Sequence, residues 1–442
     1  MLLSDLISDT WQSLSPLAQD AMFLALLLLP ALLAGAFVLR GFRPLALVTA
    51  LLWRFRWSNL TFVLLIAVSV GIGVGLIAQE RGLRRGSARA AEKFDLIVAA
   101  PGSEITMMFA AVYLQPSDVP LLDGAAFDEI AGHDHVDLAA PIAFGDSFGD
   151  APVVGTTAEF VTHLAGGLAE GRMFAATDEA IAGVKVNLAP GDTFSPAHGV
   201  EDGADEDAHE GHEITVVGKM PPTGSPWDRA ILVPVESVWQ VHGLARGHAP
   251  ERSGRIGPPF DADYFPGTPA VLVRADALWA NYALRSDFTR HDMMAFFPGA
   301  VLAQLHALMG DVRQILSVMA VLTQVLVAAG VLTGLIILTR LFSRRLALLR
   351  ALGAPVRFVF AVVWSYAAVL IVTGSLAGLA VGWVGVRLIS EAVTARTDIL
   401  VTASLDWPEF HLIAAFVSLT ALIALLPAFL SVTRNVIAEL RT

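Results

Sequence analysis

The stretch "HGVEDGADEDAHEGHE", residues 198–213, sets three histidines among seven carboxylates with no basic residue. Imidazole and carboxylate together suit a borderline cation. His198, His209 and His212, with Glu201, Asp205, Glu210 and Glu213 beside them, therefore form a candidate Zn site. The chain has no cysteine, which removes thiolate ligands and disulfides. "HDHVD", His133 to Asp137, is a second candidate of the same kind. A catalytic zinc is not expected. "HEGH" is one residue short of the H-E-x-x-H that puts two imidazoles on one helical face, and its Gly- and Asp-rich setting disfavours a helix. Composition favours the plainer alternative, a solvated acidic loop. "GHEITVVGK" lacks the spacing of a phosphate cradle, and Met220 follows Lys219 where Ser or Thr belongs, so no ATP site is expected in this chain.

The elements that must position these residues are not those of a water-soluble protein. Of 442 residues 55% are hydrophobic and 16% charged, which points to membrane spans. The charge is unevenly divided. Residues 91–311 hold 32 of the 41 Asp/Glu and 11 of the 29 Lys/Arg, a net of −21 inside a chain whose total is −12. Acidity is thus the property of one central region, and a nucleic-acid partner is excluded.

Five apolar runs are long enough to cross a ~30 Å hydrocarbon core at 1.5 Å per residue: Ala21 to Leu39, Ser58 to Gln79, Ile315 to Thr339, Phe358 to Val386 and Phe410 to Leu430. The first does not read as a signal peptide, because Asp5, Asp9 and Asp20 precede it and Arg40 and Arg43 follow it. Arg40, Arg43, Arg54 and Arg56 between the first two runs, and Arg340, Arg344, Arg345, Arg350 and Arg357 between the third and fourth, place both connectors on the cytoplasmic side. The basic "ERGLRRGSARAAEK" after the second run opposes that bias, which long translocated domains override. The central region is then extracytoplasmic. "HEITVVGKM", "RAILVPVESVWQVHG" and "TPAVLVRAD" read there as short strands, the second running into a helix, so the domain is α+β. "RGHAPERSGRIGPPFDADYFPGTP" has little periodicity and reads as a loop or flexible insertion.

Within "RLFSRRLALLRALGAPVRFV", Leu346, Leu349, Ala351 and Leu352 share one side of a helix that Gly353 and Pro355 stop, so a short amphipathic helix is expected at the membrane surface. Gly71, Gly73 and Gly75 in "GIGVG", and Gly374, Gly378 and Gly382 at four-residue intervals, permit close helix contact. Trp53, Trp57, Trp364, Trp383 and Trp407 lie near or within spans as anchors or packing, and Arg387 sits where it can reach the interface.

"RRLALLRALGA" resembles the loop signature of MacB- and FtsX-like permeases of ABC transporters. "LLWRFRWSNLTFVLLIAVSVGIGVGLIA" with "GLRRGS" and "FDLIVAAPGSEI", the segments "GLAEGRMFAATDEAIAG", "LAPGDTF" and "VVGKMPPTGSPWDRAILVPVESVWQVHG", and the closing "LLPAFLSVTRNVIAELR" are similar to that family in the same order, from about residue 50 to 442. The run Ala21 to Leu39 and the His-rich insert depart from its pattern.

The resemblance implies a helical membrane protein with a large extracytoplasmic α+β domain, four family spans and one extra N-terminal span. Its expected parts are 1–57 (extra span and cytoplasmic amphipathic segment), 58–93 (span with stalk), 94–310 (periplasmic domain with insert 198–213) and 311–442 (three spans with a coupling helix at 341–355). It further implies a non-enzymatic, dimeric permease in a bacterial inner membrane, with ATP and Mg on a cytoplasmic partner ATPase, and a periplasmic adaptor or lipoprotein and membrane lipid as further partners. The coupling residues would be Arg344, Arg345, Leu349, Arg350, Leu352 and Gly353. The alternatives are an FtsX-like activator of an envelope hydrolase and a periplasmic metal sensor.

Overall fold

The computed structural model describes residues 11–432 apart from 12, 116, 199–211, 253, 309 and 403. The chain divides into two compact units. One comprises Met1–Gly82, Asp311–Glu391 and Thr402–Thr442; the other comprises Leu83–Gly310 and Ala392–Val401.

The first unit is helical. Pro16–Leu39, Arg56–Ala91, Val356–Thr397 and Trp407–Ser431 are each long and apolar enough to cross a membrane. Four of the five expected runs thus lie in such helices. The other, Ile315 to Thr339, lies inside a single helix Gly310–Ala351. That 42-residue helix also corrects the expectation of a short, separate coupling helix at 341–355. No residue between 311 and 351 breaks the hydrogen-bonded ladder, so the arginine-rich segment is its final turns; Gly353, at φ +96, ends it as the sequence suggests.

Apolar side chains from all these helices share one core, to which Ile66, Val70 and Val74 belong together with Val359, Val362 and Ile371. Glycine permits that approach. A Cβ on Gly374 would lie 2.7 Å from Ile66 Cβ, and one on Gly378 2.7 Å from Val70 Cβ. The N-terminal helix joins the same core beside the last one. Ser418 Oγ donates to Leu27 O at 2.5 Å, and the His411 ring packs edge-on against Phe23 at 4.9 Å.

The second unit is α+β. Its strands are β1 Leu96–Ala99, β2 Val136–Pro141, β3 Ala143–Phe148, β4 Ala151–Thr156, β5 Glu170–Gly171, β6 Glu179–Ala182, β7 Thr193–Phe194, β8 Ala197–His198, β9 Ile214–Lys219, β10 Ile231–Pro234, β11 Ala270–Ala275 and β12 Met294–Phe296. They form a four-stranded sheet in the order β12-β1-β11-β2 and a larger sheet in the order β5-β9-β6-β10-β4-β3-β8, with β7 beside β9. β10 pairs in parallel with β4 and runs into the helix Val235–Val241. β9, β10 and β11 are the three strands legible in the sequence. The irregular segment after residue 244 is packed and not a free insertion, because Phe260 and Phe265 are buried with Trp239 and Phe127.

Candidate functional site

Three segments in or next to helices are built into the core of the α+β unit. Ala90 and Ala91, at the end of Arg56–Ala91, are buried beside Phe94, and Tyr113 Oη donates to Ser87 O at 3.1 Å. Burial pushes the Tyr113 phenol up to about 12. Val301 and Leu302 of the helix Pro298–Leu308 enter the same core. The third is residues 392–401, at and beyond the end of Val356–Thr397. Asp398, 8% exposed, accepts from Lys185 Nζ and pairs with Arg229 Nε, both at 3.1 Å. It adopts φ +56, a conformation that Asp tolerates better than most residues. Leu400 N donates to Gly224 O at 3.4 Å, and Ile399 packs on the core.

The receiving loop is the segment "PPTGSPWDR". Buried Asp228 draws it together, accepting from Thr223 N at 2.7 Å and Gly224 N at 2.9 Å, while fully buried Trp227 packs edge-on against Phe160 and at a tilt against Phe94. Nothing in the spacing of Asp398, Lys185 and Arg229 announces that they meet.

At the arginine connector, Arg344 and Arg345 are exposed, and Arg345 lies over the Phe55 ring at 5.6 Å. The apolar side expected to face a partner is divided. Leu346 is buried in the unit's own core and Leu349 packs against it, whereas Leu352 is 80% exposed and Leu348 49%. Arg350 is half-buried, and its carbonyl accepts from Gly353 N at 3.1 Å.

A further site, invisible in the sequence, joins the start of the last span to the helix Arg56–Ala91. Asp406 and Glu409 form a capping box for Trp407–Ile423. Fully buried Glu409 also pairs with Arg81, whose second arm reaches Asp406 at 3.2 Å.

Of the expected zinc ligands, His209 lies outside the described residues. His198 ends β8, its backbone paired with Asp146, and His212 is exposed just before β9. His133 and His135 face separate carboxylates, Asp287 at 3.6 Å and Asp276 at 3.3 Å. Among the described residues no three ligating side chains meet. Lys219 is a structural residue, its Nζ donating to Val186 O at 3.1 Å and Leu188 O at 3.2 Å. A cavity of about 510 Å³ opens where Gly145 bulges β3, walled by Leu114, Val119, Phe144 and Val154 with Asp118 and Asp146.

Another buried titratable pair is Glu236 and His248. Glu236 Oε1 accepts from Gly257 N at 2.6 Å and faces His248 Nε2 at 3.4 Å, and the His248 ring stacks on Phe260. Burial, then the nearby Glu159 charge, pushes the Glu236 carboxyl from 4.5 up to about 7 against two backbone hydrogen bonds; burial pushes His248 below its usual 6.5. A raised carboxyl binds its proton more tightly when folded. Its stabilisation is complete below about pH 4.5 and disappears as pH rises through about 7. His248 acts in the opposite sense, with stabilisation present above 6.5 and lost as pH falls through its lowered value. Glu236→Gln should therefore remove a downward drift of the apparent Tm between pH 5 and pH 8, leaving the His248 rise. Melting the purified full-length protein across that range checks this; identical slopes for the two proteins would contradict it.

Residues 317–436 match the FtsX-like permease C-terminal family. The chain carries an FtsX-like permease domain. That match, over the C-terminal part of the chain, and four helices long and apolar enough to cross a membrane fit a multi-pass membrane protein of the permease type. Among solved structures, the periplasmic region of MacB from Actinobacillus actinomycetemcomitans is similar at 10% identity and a TM-score of 0.31, over 49% of this chain and 95% of that one. No curated protein matches the sequence.

Proposed function

We propose that this permease is the membrane subunit of an ABC-type mechanotransmission complex, in which a separate cytoplasmic ATPase drives motion of an extracytoplasmic α+β unit for export or lipoprotein handling. The observation that carries the reading is the seating in the α+β core of the end of Arg56–Ala91, at Ala90–Ala91, and of the segment that directly follows Val356–Thr397, at Asp398–Leu400. Packed helices move as rigid bodies, so displacement of one end is felt at the other and is not absorbed along the way. The FtsX-like match supports the class of protein, and the arginine bias of the connectors supports their cytoplasmic side.

On this reading the ATPase takes hold of the exposed end of Gly310–Ala351, with Leu348 and Leu352 entering an apolar groove and Arg344 and Arg345 meeting acidic groups. Leu349 is a poorer probe than the sequence suggests, since it packs inward. The test is copurification of the P-loop ATPase with the full-length chain, wild type or Leu348→Asp/Leu352→Asp. The variant should lose most of the ATPase while keeping its own melting temperature. Equal retention by both proteins would refute the contact.

A further inference from the structure

The geometry points to an anionic-phospholipid site on the segment 40–57. Residues 21–79 contain no Asp or Glu, and neither do residues 312–390. Both stretches nevertheless carry arginines, and folding brings them together. Val48 and Leu51 of the short helix Leu45–Arg54 share one core with Leu346 and Val359, Phe42 meets Phe358 at 5.9 Å, and Phe55 lies under Arg345. Arg40, Arg43, Arg54 and Arg56 are all exposed, as are Arg344, Arg345 and Arg357 on the facing segment. Among the described residues none of these seven has a carboxylate partner. A concentration of guanidinium groups without a counter-charge attracts an anion supplied from outside the chain.

The apolar neighbours say which anion. Trp53 is 74% exposed and Trp57 72%, and the Arg56 guanidinium sits between them, 5.6 Å from one ring and 6.0 Å from the other. Leu45 is 64% exposed on the same short helix. Indoles beside guanidinium groups at the end of apolar spans match the boundary of a bilayer, where the ring lies at headgroup depth and the cation meets phosphate. A water-soluble polyanion would leave those rings in water.

The segment is also held in place. Asn59 Nδ2 donates to Leu52 O at 2.9 Å, and Tyr366 Oη donates to Asn59 Oδ1, fixing the short helix to two spans. The arginines therefore form a preset surface, and a headgroup phosphodiester can take two N–H bonds from one guanidinium fork. Arg40, Arg43, Arg54 and Arg56 are separate from Arg344, Arg345, Leu348 and Leu352 assigned to the ATPase, so the site on 40–57 stands whether or not that assignment does.

The test uses the full-length chain in detergent, titrated with phosphatidylglycerol or with phosphatidylcholine of the same acyl chains, bound lipid being counted by native mass spectrometry. Wild type should prefer phosphatidylglycerol about tenfold, and the preference should fall towards one in 500 mM salt. Arg43→Gln/Arg54→Gln/Arg56→Gln should abolish it at low salt, and the matching triple Lys variant should keep part of it, having charge without the fork. Equal binding of the two lipids to wild type, or an undiminished preference in the Gln variant, would overturn the proposal. So would a Gln variant that keeps the preference and instead loses a copurifying soluble protein. Because the salt arm needs no substitution, a misfolded variant does not rescue the idea.

Discussion

Glu409→Leu should lower the stability of the membrane unit by about 3–5 kcal/mol, the usual cost of stripping one partner from a buried ion pair. Glu409 is fully buried, and Arg81, 8% exposed, directs one arm to it and the other to Asp406. With the carboxylate gone, the guanidinium keeps its charge and loses its closest counter-ion in a place that is mostly buried. Glu409 Oε2 also accepts from Asp406 N at 2.8 Å, so the substitution opens the capping box at the head of Trp407–Ile423 as well. Glu409→Gln keeps an acceptor for the cap and should lose less. The double variant Arg81→Leu/Glu409→Leu removes both charges and should recover most of the loss, because an ion pair so buried adds little over an apolar pair of similar size. Melting of the detergent-solubilised protein distinguishes these. Single and double variants that melt at one temperature would mean that the Arg81–Glu409 pair is not what holds these helices.

What the sequence made legible was whatever repeats locally. The apolar runs announce their helices because a span must be hydrophobic along its whole length, and the Gly374, Gly378 and Gly382 spacing announces a close contact because four residues bring a helix back to one face. β9, β10 and β11 were readable for the same reason, being short apolar runs between turn residues. The continuity of Gly310–Ala351 was not readable. Its arginines mark where the apolar run stops, yet a change from apolar to charged ends a span without ending a helix, since Arg is a good helix former.

The ion pairs were illegible for a different reason. Arg81 and Glu409 are 328 positions apart, and Lys185 and Asp398 are 213 apart. A single sequence carries no sign of which distant charges will meet. "DWPE" before an apolar run did carry the signature of a capped helix start, and that signal locates Glu409 without hinting that Arg81 will cover it. The connector leucines show the limit of a helical wheel. Periodicity put Leu346, Leu349 and Leu352 on one side, but how much of that side the protein keeps for its own core depends on Val48, Leu51 and Phe358, which belong to other elements.

Gly378→Leu should prevent the helices Arg56–Ala91 and Val356–Thr397 from closing on each other. A single Cβ there would stand 2.7 Å from Val70 Cβ and 2.9 Å from Ala67 O; the second of these is backbone and cannot rotate away. Gly71 from the opposite helix is also confined, though less tightly, its Cβ position lying 3.2 Å from Gly378 O. The two backbones are thus in reciprocal contact, and extra bulk at position 378 must push whole helices apart. That forfeits packing all along the seam through Ile66, Val70 and Val74, where overpacking of one methylene in a tight core already costs about 1–3 kcal/mol. A graded series separates this from a general dislike of substitution in a span. Gly378→Ala should lower the apparent Tm less than Gly378→Leu, and Val70→Ala should restore little of the Ala loss, because it removes Cγ1 at 2.9 Å but leaves Cβ at 2.7 Å while the Ala67 carbonyl still opposes the added group. Gly385→Leu, three turns from Gly374 in the same helix with open space around its Cβ position, should melt like wild type. If position 385 proved as sensitive as position 378, the helix would be responding to its own conformational preference and not to the contact across the seam.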